Sequence, residues 1–578
     1  MIKLLKQFRP IYWFIIALLV VIIYGQVQFE LGLADKMGDI TALIQKHAST
    51  SEIWKVGKTM LLYTLGSVVL TVIVGFIAAR LAADFSKRLR NKMFSKVSSF
   101  SMEEINGFST SSLLTRTTND IQQVTMGIVM TLRVAISSPI MAISAIGKIK
   151  SSSNELTLVT ALGIILMITM ITIIFIFSVK KFSKLQKLTD KLNGVTRENL
   201  TGLRVVRAYN AENYQEVKFD ETNKELTKTN LVVNRLISIM SPGMSLIMNG
   251  LNLTVLWFGA YLINKGALTL PAMTTFTMYA MQVIMSFMML TMIFIMLPRA
   301  SVSAKRILEV LNTPLRIQDP QNPQNQTKIK GEIEFKNVSF RYPDGDGYVL
   351  KDISFSAKKG ETIAIIGSTG SGKSSLINLI PRFFDTTEGE VLVDGINVKD
   401  YSQKVLRDKI GYVPQKAVLF SGTIQSNIGY GNDQIEMQEI KKAASISKSA
   451  EFIEKMEDQY DAYVSQGGKN FSGGQKQRLS IARAIAKQPE IYIFDDSFSA
   501  LDYKTDKELR FALKNETSEA TTILVAQRIG TILTADMILV LDQGKIVGKG
   551  THKQLLKDCE VYRQIAYSQL SKEELADE

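Results

Sequence analysis

Thiols and imidazoles are nearly missing from this chain. Among 578 residues there is one cysteine, Cys559, and two histidines, His47 and His552. A single thiol cannot close an intramolecular disulfide, and such usage fits a reducing compartment. Neither histidines nor carboxylates cluster in the long apolar runs, so the sequence signals no metal ion and no strongly charged cargo there. Acids are in deficit, with 54 Asp and Glu against 68 Lys and Arg, for a formal net charge of +14. No basic stripe with interleaved aromatics accompanies that excess, which argues against a nucleic-acid partner. Proline is also sparse. Three of the residues present, Pro314, Pro320 and Pro323, fall in the Asn/Gln-rich stretch Thr313–Thr327, which reads as a linker.

What the chain has instead is two contrasting halves. Residues 1–312 are rich in Ile, Leu, Met and Phe; residues 330–571 have the pattern of an α/β domain; 313–329 join them and 572–578 form a tail. Six apolar runs are long enough to cross a bilayer, which takes about 20 residues each. They are Ile11–Phe29, Met60–Ala83, Val124–Ile146, Leu156–Phe177, Ile237–Ile263 and Met273–Leu297. The third is the weakest because it holds Arg133. The intervening stretches Asp84–Gln123 and Ser183–Arg235 carry mixed charge at helical spacing and are expected to continue the helices beyond the membrane.

Cationic residues set the expected orientation. Lys3, Lys6 and Arg9 precede the first run. Lys87, Arg88, Arg90, Lys92 and Lys96 follow the second, and Lys180, Lys181, Lys184, Lys187 and Lys191 follow the fourth. The positive-inside rule places all of them in the cytosol, together with both termini.

The strongest motif is Gly367–Ser374, GSTGSGKS, which fits G-x-x-x-x-G-K-[ST]. A strand-like run, Thr362–Ile366, precedes it, and a helical pattern, Ser375–Phe383, follows. In that setting Gly367, Ser368, Thr369, Gly370, Ser371 and Gly372 turn backbone N–H groups around phosphate. Lys373 supplies charge to the β- and γ-phosphates, Ser374 a hydroxyl for Mg²⁺, and Ser375 opens the helix. Four further segments have matching chemistry. Tyr342, after the strand-like Ile333–Phe340, is an aromatic placed to stack on a base. Gln415 ends the apolar stretch IGYVPQ, within reach of a metal ion or its water. Ser472, Gly473, Gly474 and Gln475 open a second helix fit for phosphate, without a lysine. Ile491–Phe494 reads as a buried parallel strand delivering Asp495 to Mg²⁺, with Asp496 and then Ser499-Ala500-Leu501-Asp502 behind it. Thr522–Ala526 is another buried strand, capped by Gln527.

Taken in this order, Walker A, Gln415, SGGQ, the Asp495 strand and SALD resemble the ATP-binding cassette (ABC) domain, over Ile333–Tyr567. The first half resembles the six-helix membrane domain of ABC exporters: Ser112–Asp120 (SLLTRTTND) looks like the first intracellular coupling region, and Glu198–Asn210 (ENLTGLRVVRAYN) like the segment around the second. The fold class implied is a membrane α-helical domain of six long transmembrane helices followed by a cytosolic α/β P-loop ABC ATPase. One of each makes a half-transporter that needs a second half. By resemblance, ATP and Mg²⁺ are the cofactors. Tyr342 stacks adenine, Ser374, Gln415 and Asp495 serve the metal, Ser472–Gln475 contact the γ-phosphate of nucleotide held by the partner, and Asp502 of SALD is among the nucleotide-binding residues.

Two positions depart from the family pattern. The residue after Asp495 is usually glutamate, the general base, and here it is Asp496. The residue after the next strand is usually a histidine, and here it is Gln527. Neither His47 nor His552 stands where it could substitute. Aspartate is one methylene shorter, and a misplacement of about 1 Å costs on the order of a hundredfold in rate. Glutamine carries neither a proton nor a positive charge to the phosphate. The chain thus resembles the degenerate-site subunit of bacterial heterodimeric multidrug exporters. A slow homodimer and an ATP-gated channel or regulator on the same scaffold are the alternatives. A third departure, Ser465-Gln466-Gly467, replaces the usual Gly-Glu-Arg before SGGQ. The fifth and sixth runs carry Met240, Met244, Met248, Met278, Met281, Met285, Met288, Met289, Met292 and Met296. Such soft side chains line adaptable pockets, which points to small amphipathic drugs or lipid-like cargo in a plasma membrane; packing against lipid and other helices is the plainer use of the same residues.

Overall fold

In the computed structural model, residue 4 and residues 7–569 are described, apart from 153, 328, 344 and 433. Lys3, Lys6, the tail 572–578 and the side chains of Lys180 and Met292 lie outside the described set. The chain forms two compact units. One comprises Met1–Val97 and Ser111–Asn312; the other comprises Ser98–Thr110 and Thr313–Glu578. Residues 98–110, counted in sequence with the membrane half, pack with the second unit.

The first unit is helical. Six of its helices are long and apolar enough to cross a membrane: Pro10–Gln45, Thr50–Ser98, Thr110–Lys150, Glu155–Ser178, Glu212–Asn264 and Leu270–Asn312. Thr50–Ser98 has 49 residues, about 73 Å of helix, more than twice a bilayer core of about 30 Å. The helices therefore outrun the apolar runs read from sequence, because packing of an amphipathic face stabilises a helix where hydropathy no longer marks it. The first helix carries Glu30 and Asp35 past its apolar run. Ser67 donates to Glu30 at 3.2 Å and Lys148 pairs with Asp35 at 3.0 Å. Polar pairing between spans thus begins where the runs end. Of the methionines, Met244 is buried, whereas Met278, Met285 and Met289 share an exposed face of the sixth helix.

The second unit is built on three sheets. β1 (Ile333–Phe340), β2 (Leu350–Ala357), β4 (Glu388–Val393) and β5 (Ile396–Asn397) form an antiparallel sheet ordered β2-β1-β4-β5. β3 (Thr362–Gly367), β6 (Ile410–Val413), β9 (Ile491–Asp495), β10 (Thr521–Val525), β11 (Met537–Asp542) and β12 (Lys545–Gly550) form the main sheet, ordered β12-β11-β3-β10-β9-β6. β7 (Gly422–Thr423) and β8 (Tyr463–Val464) make a short pair. In the main sheet only β11–β12 is antiparallel. β9 and β10 are buried along their whole length, as unbroken apolar strands covered on both faces must be. Their parallel register pairs Val525 with Asp495, so β3, β9 and β10 end together at the place where a doubly covered sheet exposes its carboxyl ends to ligand.

Candidate functional site

The loop after β3 is shaped by glycine. At Gly367 a Cβ would lie 2.1 Å from the Leu541 carbonyl oxygen. Gly372 has φ +100° and caps the helix Lys373–Leu379, which is shorter than the sequence pattern Ser375–Phe383 suggests. Any larger residue at either place would force the loop outward. The Lys373 ammonium donates to the carbonyls of Gly367 at 2.9 Å and Ser368 at 2.8 Å. That uses two of its three N–H groups and leaves one for an anion. Burial pushes its pKa down, while the charges of Asp496 and Asp495 pull it up.

A cleft of about 360 Å³ opens over this loop. Its walls include Thr369, Gly370, Lys373, Ser374, Gln415 and Gln527, with Asp495 and Asp496 at its base. Ser374 donates to Asp495 at 3.1 Å. Asp496 is gripped from two sides, by the Gln415 amide at 3.2 Å and the Gln527 amide at 2.8 Å, both on Oδ2. Its backbone is left-handed, φ +47°, a conformation that Asp tolerates better than most residues. Burial raises both carboxylates above the ordinary range; for Asp495 the Ser374 hydrogen bond opposes the rise, and for Asp496 those from Gln415 and Ser499 do.

The donor set fits Mg²⁺ and a nucleotide phosphate. The Ser374 hydroxyl and the Asp495 carboxylate are adjacent oxygen donors, and Gln415 brings an amide beside them. Mg²⁺ takes one or two carboxylates plus phosphate oxygens and water. Among the described residues no group of three or more His, Cys, Asp or Glu could hold a metal alone; phosphate oxygens would have to complete the shell. Bound there, the ion would neutralise charge on the β- and γ-oxygens.

The remaining predicted residues lie elsewhere. Tyr342 packs edge-on against Phe340, with centroids 4.9 Å apart, and Phe384, at 5.2 Å, and its hydroxyl is 2.9 Å from Ser375 Oγ. The ring is thus tied to the first turn after the phosphate loop. Ser472 caps the helix Gly473–Ala486 in a reciprocal box: Gln475 N–H donates to the Ser472 hydroxyl, and Ser472 N–H donates to the Gln475 side-chain oxygen at 2.9 Å. Ser472 and Gly473 are exposed, and a Cβ on Gly473 would meet nothing. Asp502 caps Tyr503–Glu516, accepting from Thr505 N–H at 2.9 Å. None of Ser472–Gln475 or Asp502 lines the cleft. Val349 and Val525 do line it and were not read from sequence; an apolar strand end carries no motif. His552 is buried against the Tyr562 hydroxyl at 2.7 Å and acts within the core.

Residues 12–287 match the family described as ABC transporter transmembrane region, and residues 350–499 match the ABC transporter family proper. The chain is 39% identical over 524 residues, 90% of each chain, to an ABC transporter ATP-binding protein of Mycobacterium tuberculosis. It is 37% identical over 521 residues, again 90% of each, to the ABC transporter ATP-binding protein YfiB of Bacillus subtilis. A solved structure of a bacterial Atm1-family ABC exporter with ATP bound is similar at TM-score 0.81 and 25% identity, over 96% of this chain and 98% of that one. A six-helix apolar half followed by a phosphate-loop ATPase domain is the fold of an ABC exporter. The chain belongs to the ABC transporter family and is a multi-pass membrane protein of the ATP-driven exporter type.

Proposed function

We propose that this chain is one half of a heterodimeric exporter, that its own Walker site is degenerate, and that its SGGQ segment completes a competent site on the partner. The observation that carries this reading is Asp496: a carboxylate one methylene short of glutamate, with Oδ2 held by two glutamine amides. A general base must reach the attacking water; the amides occupy only Oδ2, so it is the missing methylene that keeps the other oxygen short, and no histidine stands nearby to assist. Nucleotide binding keeps its parts. Tyr342 receives adenine, Gly367–Ser375 the phosphates, and Ser374, Asp495 and Gln415 Mg²⁺. Ser472, Gly473, Gly474, Gln475 and Asp502 lie outside this cleft, consistent with service across a dimer interface. Both termini and the ATPase domain lie in the cytosol of a bacterium, and the cargo is a drug-like or lipid-like amphiphile leaving through the plasma membrane.

The test compares the purified chain with its native complex. The chain alone should bind ATP but turn it over slowly. After a chase, the complex should retain unhydrolysed ATP at one of its two sites, a standing ligand that biases the conformational equilibrium. Rapid cooperative turnover by the chain alone, or equal fast exchange at both sites, would sink the heterodimer reading. Met285→Asp or Met289→Asp, on the exposed face of the sixth helix, should lower transport of amphiphiles while ATP hydrolysis without cargo persists. Transport of a single hydrophilic ion or sugar would refute the cargo assignment.

A further inference from the structure

Arg133 sits inside the third membrane helix, at the centre of a five-residue π-helical segment, Thr131–Ala135. The break is written in the sequence. Pro139 has no N–H for the Ala135 carbonyl, and its ring crowds that carbonyl. The Thr131 hydroxyl donates back to the Gly127 carbonyl at 2.7 Å. An α-helix relieves both by admitting one extra residue, and such π-bulges concentrate at functional sites.

The side chain is exposed, although Leu132 beside it is buried. Opposite it on the second helix is Gly75, where an added Cβ would stand 4.0 Å from the guanidinium carbon. Glycine thus leaves room beside the cation. Three other cations of the membrane helices do have acidic partners: Lys148 with Asp35, Arg116 with Glu309, and Arg306 with Asp120. Among the described residues none forms an ion pair with Arg133. It lies about 13 Å along the apolar run counted from Val124, a run long enough to span a bilayer. A charge at that depth without a protein partner is costly, and by default it marks a pathway or ligand. Guanidinium is also the group best matched to a carboxylate or phosphate, through two parallel hydrogen bonds.

We propose that Arg133 receives the headgroup of cargo that carries one oxyanion, carboxylate or phosphate, on an apolar body. The inference rests on the reading of this chain as an exporter of amphiphiles and narrows its substrate class. The apolar body meets the membrane helices, and the π-segment sets the arginine's direction.

The assembled transporter, reconstituted in phosphatidylcholine vesicles, is assayed for ATPase stimulation by oleate and by methyl oleate, which differ only in the charge. Wild type should prefer oleate. Arg133→Gln should raise the oleate concentration for half-maximal stimulation about tenfold or more, the weight of a charge-assisted hydrogen bond, and abolish the preference. Arg133→Lys should recover part of it. Equal responses to both compounds in wild type overturn the inference but leave amphiphile export standing. If neither compound stimulates, the amphiphile-cargo reading fails and takes this inference with it. If Arg133→Gln and Arg133→Lys lose both responses alike, the arginine is structural and the proposal is wrong. Repeating the assay with phosphatidylglycerol in the vesicles separates cargo from bilayer: if the variant's defect follows lipid charge and not cargo charge, Arg133 holds a membrane phosphate and the proposal fails.

Discussion

Gln527 and Asp496 are joined side chain to side chain, the glutamine amide donating to Asp496 Oδ2 at 2.8 Å. Two of the three places where the sequence departs from the family pattern are therefore one structural unit. A glutamate here would be a methylene longer and reach further into the cleft, and a histidine would exchange the amide for a group able to carry a proton. The pair as it stands orients the carboxylate toward amides.

Lys373→Ala should abolish ATP binding at this site. The ammonium is held by the carbonyls of Gly367 and Ser368, so its loss removes the loop's only side-chain cation and unties the loop from it. Binding of a fluorescent ATP analogue to the purified chain is the measurement. Affinity within a fewfold of wild type would show that the backbone N–H groups alone suffice.

Nucleotide binding should be sensitive to acid through Asp495. Burial raises this carboxylate, and that of Asp496, above the ordinary value of 3.8. A raised folded-state pKa means that the folded domain favours the protonated forms. The stability this contributes is full below the ordinary pKa and is lost as pH rises through the raised one. Mg²⁺ requires the ionised form, so binding must release protons in that same window. The Mg²⁺-dependent gain in ATP affinity should therefore fall on acidification at a higher pH than for an ordinary aspartate, and Asp495→Asn should remove the dependence. A gain unchanged down to the ordinary aspartate range would contradict the assignment.

Stability should depend on a buried ion triad away from the cleft. Lys409 bonds Asp394 at 2.8 Å and Glu490 at 2.7 Å, and the Asp394 side chain is fully buried. Asp394 also accepts from Glu332 N–H at 2.9 Å, at the entry to β1. Lys409→Met leaves a buried carboxylate uncompensated, which costs about 3–5 kcal/mol. The melting temperature of the solubilised chain should drop clearly, and Asp394→Leu added to Lys409→Met should recover part of the loss. An unchanged melting temperature in the single variant would mean that water or the neighbouring N–H groups compensate the charge.

The parts of this molecule legible in sequence were those with a local cause. β1 runs Ile333–Phe340 as read, and β9 is the buried parallel strand expected. The phosphate loop stands between its strand and helix because glycines at 367 and 372 admit nothing larger. Helix lengths were less legible: hydropathy marks where a helix is apolar, not where it ends, so Pro10–Gln45 outruns Ile11–Phe29. The grip of Gln415 and Gln527 on a single oxygen of Asp496 was not readable either. Their numbers lie far apart, and only the parallel order of β6, β9 and β10 brings them together.

In the assembled transporter the motifs of this one chain should be unequal. Asp496→Asn should matter little to steady-state ATPase, because the carboxylate is already short and tied by two amides, and the amide that replaces it keeps its shape. Ser472→Arg or Gly474→Asp should matter far more. Ser472 and Gly473 are exposed at the opening of a helix, Gly473 faces open space, and a Cβ at Gly474 would come within 3.3 Å of the Ala500 carbonyl oxygen. These residues lie outside this chain's own cleft, and under the heterodimer proposal bulk or negative charge there would act on nucleotide held by the partner. Preorganised donors at a developing phosphate charge are each worth about 3 kcal/mol, on the order of a hundredfold in rate. ATP turnover of the two mutant complexes decides the matter. If Asp496→Asn silences the complex while the SGGQ variants keep near-normal rates, this chain holds the working base, and the assignment of the degenerate site to it is wrong.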